Sequence, residues 1–298
     1  MKKSRWTRRK FLASSATSAA TLPFFASPFS LRTSLPASAC TLIQEQEEGP
    51  YYVDREILRK EITEGKPGLP LLLRLTLLDI KSCRPIENAA LDIWQCDALG
   101  VYSGYTAFQP GGPGGPGGPG GPGRMPPPPP GSNGNQPPEF GMGGPPKHQP
   151  TDKLVFLRGV QLTDGRGIVE FSTIFPGCYM GRTNHIHLKV HIGGHAEGSG
   201  YRGGHVAHTG QIFFPEDISL AVIALKPYSN HEIERTTLAD DGVYNGQHGS
   251  QGMSTLTLLN PSSPSSGYLA TLVLGVDPDA LPAPANRGRD PRFPSARS

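Results

Sequence analysis

Apolar positions in this chain recur at every second residue or in short unbroken runs, and seldom at helical spacing. Leu69–Lys81 (LPLLLRLTLLDIK) is strongly apolar with Arg74 and Thr76 set into it, which predicts a buried strand. Ala89–Asp97 alternates and predicts the next strand. Leu154–Leu162 and Ile168–Ile174 predict two more, joined by a hairpin-type turn at Thr163-Asp164-Gly165-Arg166-Gly167. His208–Phe214, Gly252–Leu259 and Tyr268–Val276 read the same way, as does the β-branched run around His185. A single short helix is predicted at Ile218–Leu225, with Asp217 placed to cap it. The pattern is that of an all-β fold: an antiparallel β-sandwich with one short helix.

Composition breaks this pattern in three places. The 298 residues include 38 Gly and 32 Pro, and 110–150 is mostly these two, with a Gly-Gly-Pro repeat and a five-proline run. Such a stretch buries almost nothing, and its triplet repeat is too short for an independent triple helix. It is expected to be a long disordered loop inserted within one domain spanning 40–280. Residues 281–298 are rich in Pro and Arg and are expected to fray as a tail. At the other end, Arg8-Arg9 precedes a moderately apolar stretch (Ala13–Phe29) and the small-x-small run Ala37-Ser38-Ala39. This predicts a twin-arginine signal peptide over 1–39, recognition by the twin-arginine export machinery, and a periplasmic or extracellular protein. Lipid anchoring through Cys40 is the less favoured variant, because Ala37 stands where a lipid-attachment box expects Leu.

The net charge of +3 is small and gives no reason to expect nucleic-acid binding. Two of Cys40, Cys83 and Cys96 could pair in an oxidising compartment, and the spacing does not fix which. No C-x-x-C and no G-x-S-x-G is present. Gly198–Gly203 matches G-x-G-x-x-G by letter but lacks the strand–turn–helix setting of a dinucleotide site.

The chemistry concentrates in Pro176–Val190, PGCYMGRTNHIHLKV. On a strand, residues two apart share a face, so His185 and His187 project together as a two-nitrogen metal chelate requires. Ile186, Leu188 and Val190 then point into a core. Tyr179 precedes them in a turn able to swing its phenol toward the imidazoles. His191 shares the face and is a rival third ligand, but it is read with His195, His205 and His208 as a polar or surface residue.

EGPYY (48–52), DIWQCDALGVYSGY (92–105), FLRGVQLTDGRG (156–167), PGCYMGRTNHIHLKVH (176–191) and TGQIFFPED (209–217) occur in that order. Together they resemble the intradiol ring-cleavage dioxygenases, and most closely the exported, stand-alone branch of that family. The resemblance implies a non-haem Fe(III) centre held by Tyr102, Tyr179, His185 and His187. It implies that Tyr179 is the ligand that yields to substrate, that Arg182 offsets charge on the substrate ring, and that Gln211 lines the pocket. The implied substrates are a catecholic small molecule and O2, and the implied product is a muconate-type diacid. The donor set agrees, since phenolate is a hard anion suited to a ferric ion. Family members assemble as dimers or larger, so the resemblance admits a homo-oligomer. The principal alternative is a non-catalytic exported β-sandwich binding module that keeps the motif. Cys178 departs from the aromatic residue that exported relatives often carry there.

Overall fold

The computed structural model describes residues 40–54, 56–107 and 149–282. The expected signal peptide at 1–39, all but the last residues of the 110–150 insertion, and the tail beyond 282 lie outside them.

Among the described residues, eight strands form two four-stranded sheets. β1 (Pro70–Asp79), β4 (Ile168–Ile174), β7 (Thr255–Leu258) and β8 (Tyr268–Val276) make one sheet in the order β4-β1-β8-β7. β2 (Ala90–Trp94), β3 (Arg158–Leu162), β5 (His185–Glu197) and β6 (Gly200–Phe213) make the other, in the order β3-β2-β5-β6. One apolar cluster takes Leu71, Leu73, Leu75 and Leu77 of β1 with Ile93 of β2 and Ile186, Leu188 and Val190 of β5, so the core lies between the sheets. The alternation hidden in the apolar run of β1 is real: those four leucines are buried, while Leu72, Arg74 and Thr76 are half-buried on the other face.

Four expectations need correction. The sandwich is not wholly antiparallel, because β1 and β8 run parallel, with Leu71 beside Tyr268 through to Asp79 beside Val276. The Gly-rich 193–204 stretch belongs to a long hairpin, since β5 continues to Glu197 and β6 starts at Gly200. Glycines weaken strand propensity, but the extended ladder between β5 and β6 overrides it. The helix, α1, spans Glu216–Ile223; Pro215 takes the capping position and Asp217 falls in the first turn, where its charge suits the helix dipole. It has a companion, α2 (Gly242–Gly246), whose N-terminus is capped by the Asp241 side chain accepting from the Val243 and Tyr244 N–H groups.

Cys40 and Cys83 form the disulfide, leaving Cys96 and Cys178 as buried thiols. The bond ties the first described residue to the turn after β1.

The outer face of the β3–β2–β5–β6 sheet is covered by a strap, the segments 44–54 and 56–62. The Gln46 N–H donates to the Thr209 carbonyl of β6 (2.9 Å) and the Arg59 N–H to the Val160 carbonyl of β3 (3.0 Å), so the strap crosses the whole sheet. This explains why His185–His191 is buried at every position: one set of side chains meets the core and the alternate set meets the strap.

Candidate metal centre

Three chain segments converge under the strap. The first is the turn after β2. The Asp97 carboxylate accepts from the N–H groups of Leu99 and Val101 (3.0 Å each) and shapes the loop that carries Tyr102. Arg158, buried on β3, donates to Ser103 Oγ (2.8 Å), the Ser103 carbonyl (2.7 Å) and the Tyr51 carbonyl (2.8 Å). It thereby ties the Tyr102 loop to the strap. The second segment is the Pro176–Tyr179 turn, which crosses the first closely. A Cβ on Gly177 would lie 2.3 Å from the Asp97 carbonyl oxygen, so only glycine allows the approach. The third is the start of β5, which brings His185 and His187.

The two imidazoles meet Nε2 to Nε2 at 3.1 Å, and the Tyr102 hydroxyl lies 3.5 Å from His185 Nε2. Tyr179 packs edge-on to both, its ring centroid 5.9 Å from Tyr102 and 5.6 Å from His185. His185 Nδ1 sits 2.6 Å from the Thr183 carbonyl, which can only accept. The Nδ1 proton is therefore fixed there and Nε2 presents a bare lone pair to the site. The His187 ring lies flat on Trp94, centroids 5.0 Å apart and 6° between planes.

Burial sets the protonation states. It pushes His185 down to about 3, helped by the nearby Arg182 cation, and holds His187 well below the usual range, helped by His185 and Arg182. Both imidazoles are thus neutral, as metal ligands must be. Burial raises Tyr179 to about 12, against the pull of Arg182, and holds Tyr102 well above the usual phenol range, helped by the phenol of Tyr179. Only a strong local cation would draw these phenols to phenolates, and a bound metal ion is such a cation. Two neutral imidazoles with their Nε2 atoms facing one another, beside two acidifiable phenols, fit a hard trivalent ion. Among the described residues, no group of three or more His, Cys, Asp or Glu is placed to hold a metal. The donor set here depends on tyrosine.

Arg182 is buried three residues before the histidines. Its Nε donates to both Asp241 oxygens (3.2 and 3.0 Å), Nη2 donates to Gln211 Oε1, and Nη1 lies 3.8 Å from Glu47. Gln211 pairs with His187 across β5 and β6, and its Nε2 donates to the Glu47 carbonyl (3.0 Å). The structure thus brings together all six residues singled out from the sequence: Tyr102, Tyr179, Arg182, His185, His187 and Gln211.

It separates His191 from them. The ladder slips between Val190 and His191, and His191 turns to Glu56 (Nδ1 to Oε1, 3.5 Å) and the edge of Tyr201. His191 and His208 are buried, not superficial; His208 Nδ1 pairs with Glu45 at 2.6 Å. Burial, with Lys189 nearby, pushes His191 down to about 4. The unfolded chain takes up that proton near pH 6.5 and the folded chain only near 4, so acid favours unfolding across this window. The wild type is expected to lose on the order of 1–3 kcal/mol more than His191→Gln between those pH values, read by urea titration. Equal losses would show that His191 charges in place.

Sequence reasoning missed several neighbours. Tyr51 stacks on Tyr102 (4.7 Å, 21°), and the EGPYY motif had already marked its segment. Trp94, Arg158, Glu47 and Asp241 carried no spacing signal. Cys178 lines a cavity of about 70 Å³ with Tyr228, His231 and Arg235.

With this geometry in hand, comparison with known proteins is informative. No family model and no curated protein matches the chain. Among solved structures, it is similar to an intradiol ring-cleavage dioxygenase from Tetranychus urticae, with 31% identity over 82% of this chain and 98% of that one, at a TM-score of 0.62. A second dioxygenase structure is 32% identical over 82% of this chain and 97% of that one, at a TM-score of 0.61. A two-sheet sandwich with paired histidines and tyrosines is the class that fold and site define. The chain belongs to the intradiol ring-cleavage dioxygenase family.

Proposed function

We propose that this protein is an exported non-haem Fe(III) dioxygenase that cleaves a catecholic ring between its two hydroxyls. Catechol plus O2 would give cis,cis-muconic acid, with both oxygen atoms retained in the product. The observation that carries the reading is the convergence of His185 and His187, both neutral, with the phenols of Tyr102 and Tyr179 in one buried site. Those four side chains would hold the iron. Ferric iron supplies, when bound, a Lewis-acidic centre that gathers the catechol oxygens and opens the ring to O2.

The remaining work falls to the protein. Thr183 holds the His185 tautomer, and Trp94 holds the plane of His187. Tyr179 Oη, ionised only as a metal ligand and otherwise kept protonated by burial, would be suited as a phenolate to take a catechol hydroxyl proton as substrate enters. Arg182, held by Asp241 and Gln211, keeps its guanidinium in place beside the site, where it would offset charge on the substrate ring. Tyr51 and the strap exclude water from the face opposite the sheet. The Cys40–Cys83 disulfide supports the export reading, because such bonds persist in oxidising compartments.

Turnover of catechol under ¹⁸O2 tests this proposal. One O2 consumed per catechol, with two labelled atoms in muconate, is expected. No oxygen uptake would favour a binding module, and a ring opened outside the hydroxyls would overturn the intradiol assignment.

A further inference from the structure

The charge balance around Arg182 bears on which catechols the site accepts. The guanidinium already has two carboxylate partners: Asp241 takes Nε and Glu47 faces Nη1 at 3.8 Å, while Gln211 takes Nη2. Two carboxylates on one arginine leave a net negative charge. The other cations nearby are committed too. Arg158 directs Nε and Nη2 to Ser103 and the Tyr51 carbonyl, and Lys189 pairs with Glu48 at 2.7 Å against the Tyr52 ring. A carboxylate on an incoming ring therefore meets side-chain cations that already have partners among the described residues around the site.

Of the two carboxylates on Arg182, only Glu47 reaches the surface: its side chain is 20% exposed and that of Asp241 is fully buried. Its place is fixed, because its N–H donates to Gln247 Oε1 (2.8 Å) and its carbonyl accepts from Gln211 Nε2. Two residues on, the strap passes directly over the site, where a Cβ on Gly49 would lie 3.0 Å from His187 Cε1. Glu47 thus stands at the rim of the metal centre, between solvent and Arg182.

We propose that Glu47 sets substrate charge: the site takes catechols with neutral or cationic ring substituents and rejects carboxylated ones. This rests on the ring-cleavage reading. Like charges brought together at a half-buried rim disfavour the wrong ligand and need no contact with the right one. The penalty corresponds to on the order of a tenfold discrimination, screened as salt is raised.

The test uses catechol, 3,4-dihydroxybenzoate and 4-(2-aminoethyl)catechol on the iron-loaded full-length mature protein. Dissociation constants are measured without oxygen and kcat/KM with it. The wild type is expected to prefer catechol and the aminoethyl compound over the benzoate by about tenfold or more in both readouts, with the preference shrinking in high salt. Glu47→Gln should close most of that gap and Glu47→Lys should reverse it. A wild type that binds and turns over all three alike overturns the inference and leaves ring cleavage standing. So does a wild-type preference that both substitutions leave intact. If catechol itself neither binds nor turns over, the ring-cleavage reading fails and this inference falls with it.

Discussion

Asp241→Ala is expected to destabilise the protein by about 3–5 kcal/mol, the usual cost of leaving one partner of a buried ion pair alone. Asp241 is fully buried and serves three structures at once. It accepts from Arg182 Nε, from the Thr183 N–H (2.8 Å) just before the histidine pair, and from the Val243 and Tyr244 N–H groups that open α2. Removing it takes the closer of two carboxylates from a buried guanidinium and strands three backbone donors. Asp241→Asn keeps the shape and loses the charge, so it should fall between wild type and alanine. Burial pushes the Asp241 carboxyl up, but Arg182, His185 and the N–H donors pull it down further, and the net position is below the ordinary carboxylate. A depressed carboxyl stabilises the fold above the unfolded value near pH 3.8 and loses that contribution as pH falls through the folded value. The extra stability of the wild type over Asp241→Asn should therefore hold at neutral pH and shrink below about pH 4. Urea unfolding at pH 7 and pH 3 measures it; a loss under 1 kcal/mol for alanine at pH 7 would mean that Arg182 finds another partner.

The second large effect is expected on iron retention. His187→Ala should remove a ligand outright, at a cost exceeding the roughly 10–100-fold that loss of a mere supporting partner brings. His191→Ala should retain the metal, because the slip after Val190 turns that ring away to Glu56. Iron per chain after ferric reconstitution separates the two, with circular dichroism confirming that each variant is folded. Iron lost in His191→Ala and kept in His187→Ala would relocate the centre.

Much of the site was legible because its grammar is local. His185 and His187 are two apart on a strand, and that spacing alone puts them on one face. Tyr179 and Arg182 lie within the same short stretch. Tyr102 and Gln211 came from the order of motifs, not from any physical signal of their own. What stayed hidden depends on contacts between distant segments. Nothing at positions 47 or 241 announces that both carboxylates meet one arginine, and nothing at 158 foretells three hydrogen bonds to two loops. The buried state of His191 depends on the strap, a segment more than 120 residues away in sequence. The strands were legible where apolar alternation was strong, as in β1, and not in the Gly-rich hairpin, where backbone pairing decides. The parallel β1–β8 pairing arises from topology, which alternation along a single strand does not encode.

We propose that Tyr102, Tyr179, His185 and His187 hold a ferric ion. A visible spectrum of the purified protein, with an iron assay, is the direct test. One iron per chain and a broad tyrosinate-to-iron charge-transfer band, which shifts when catechol is added, is the expected result. A protein that stays colourless after ferric reconstitution would contradict the assignment of both tyrosines.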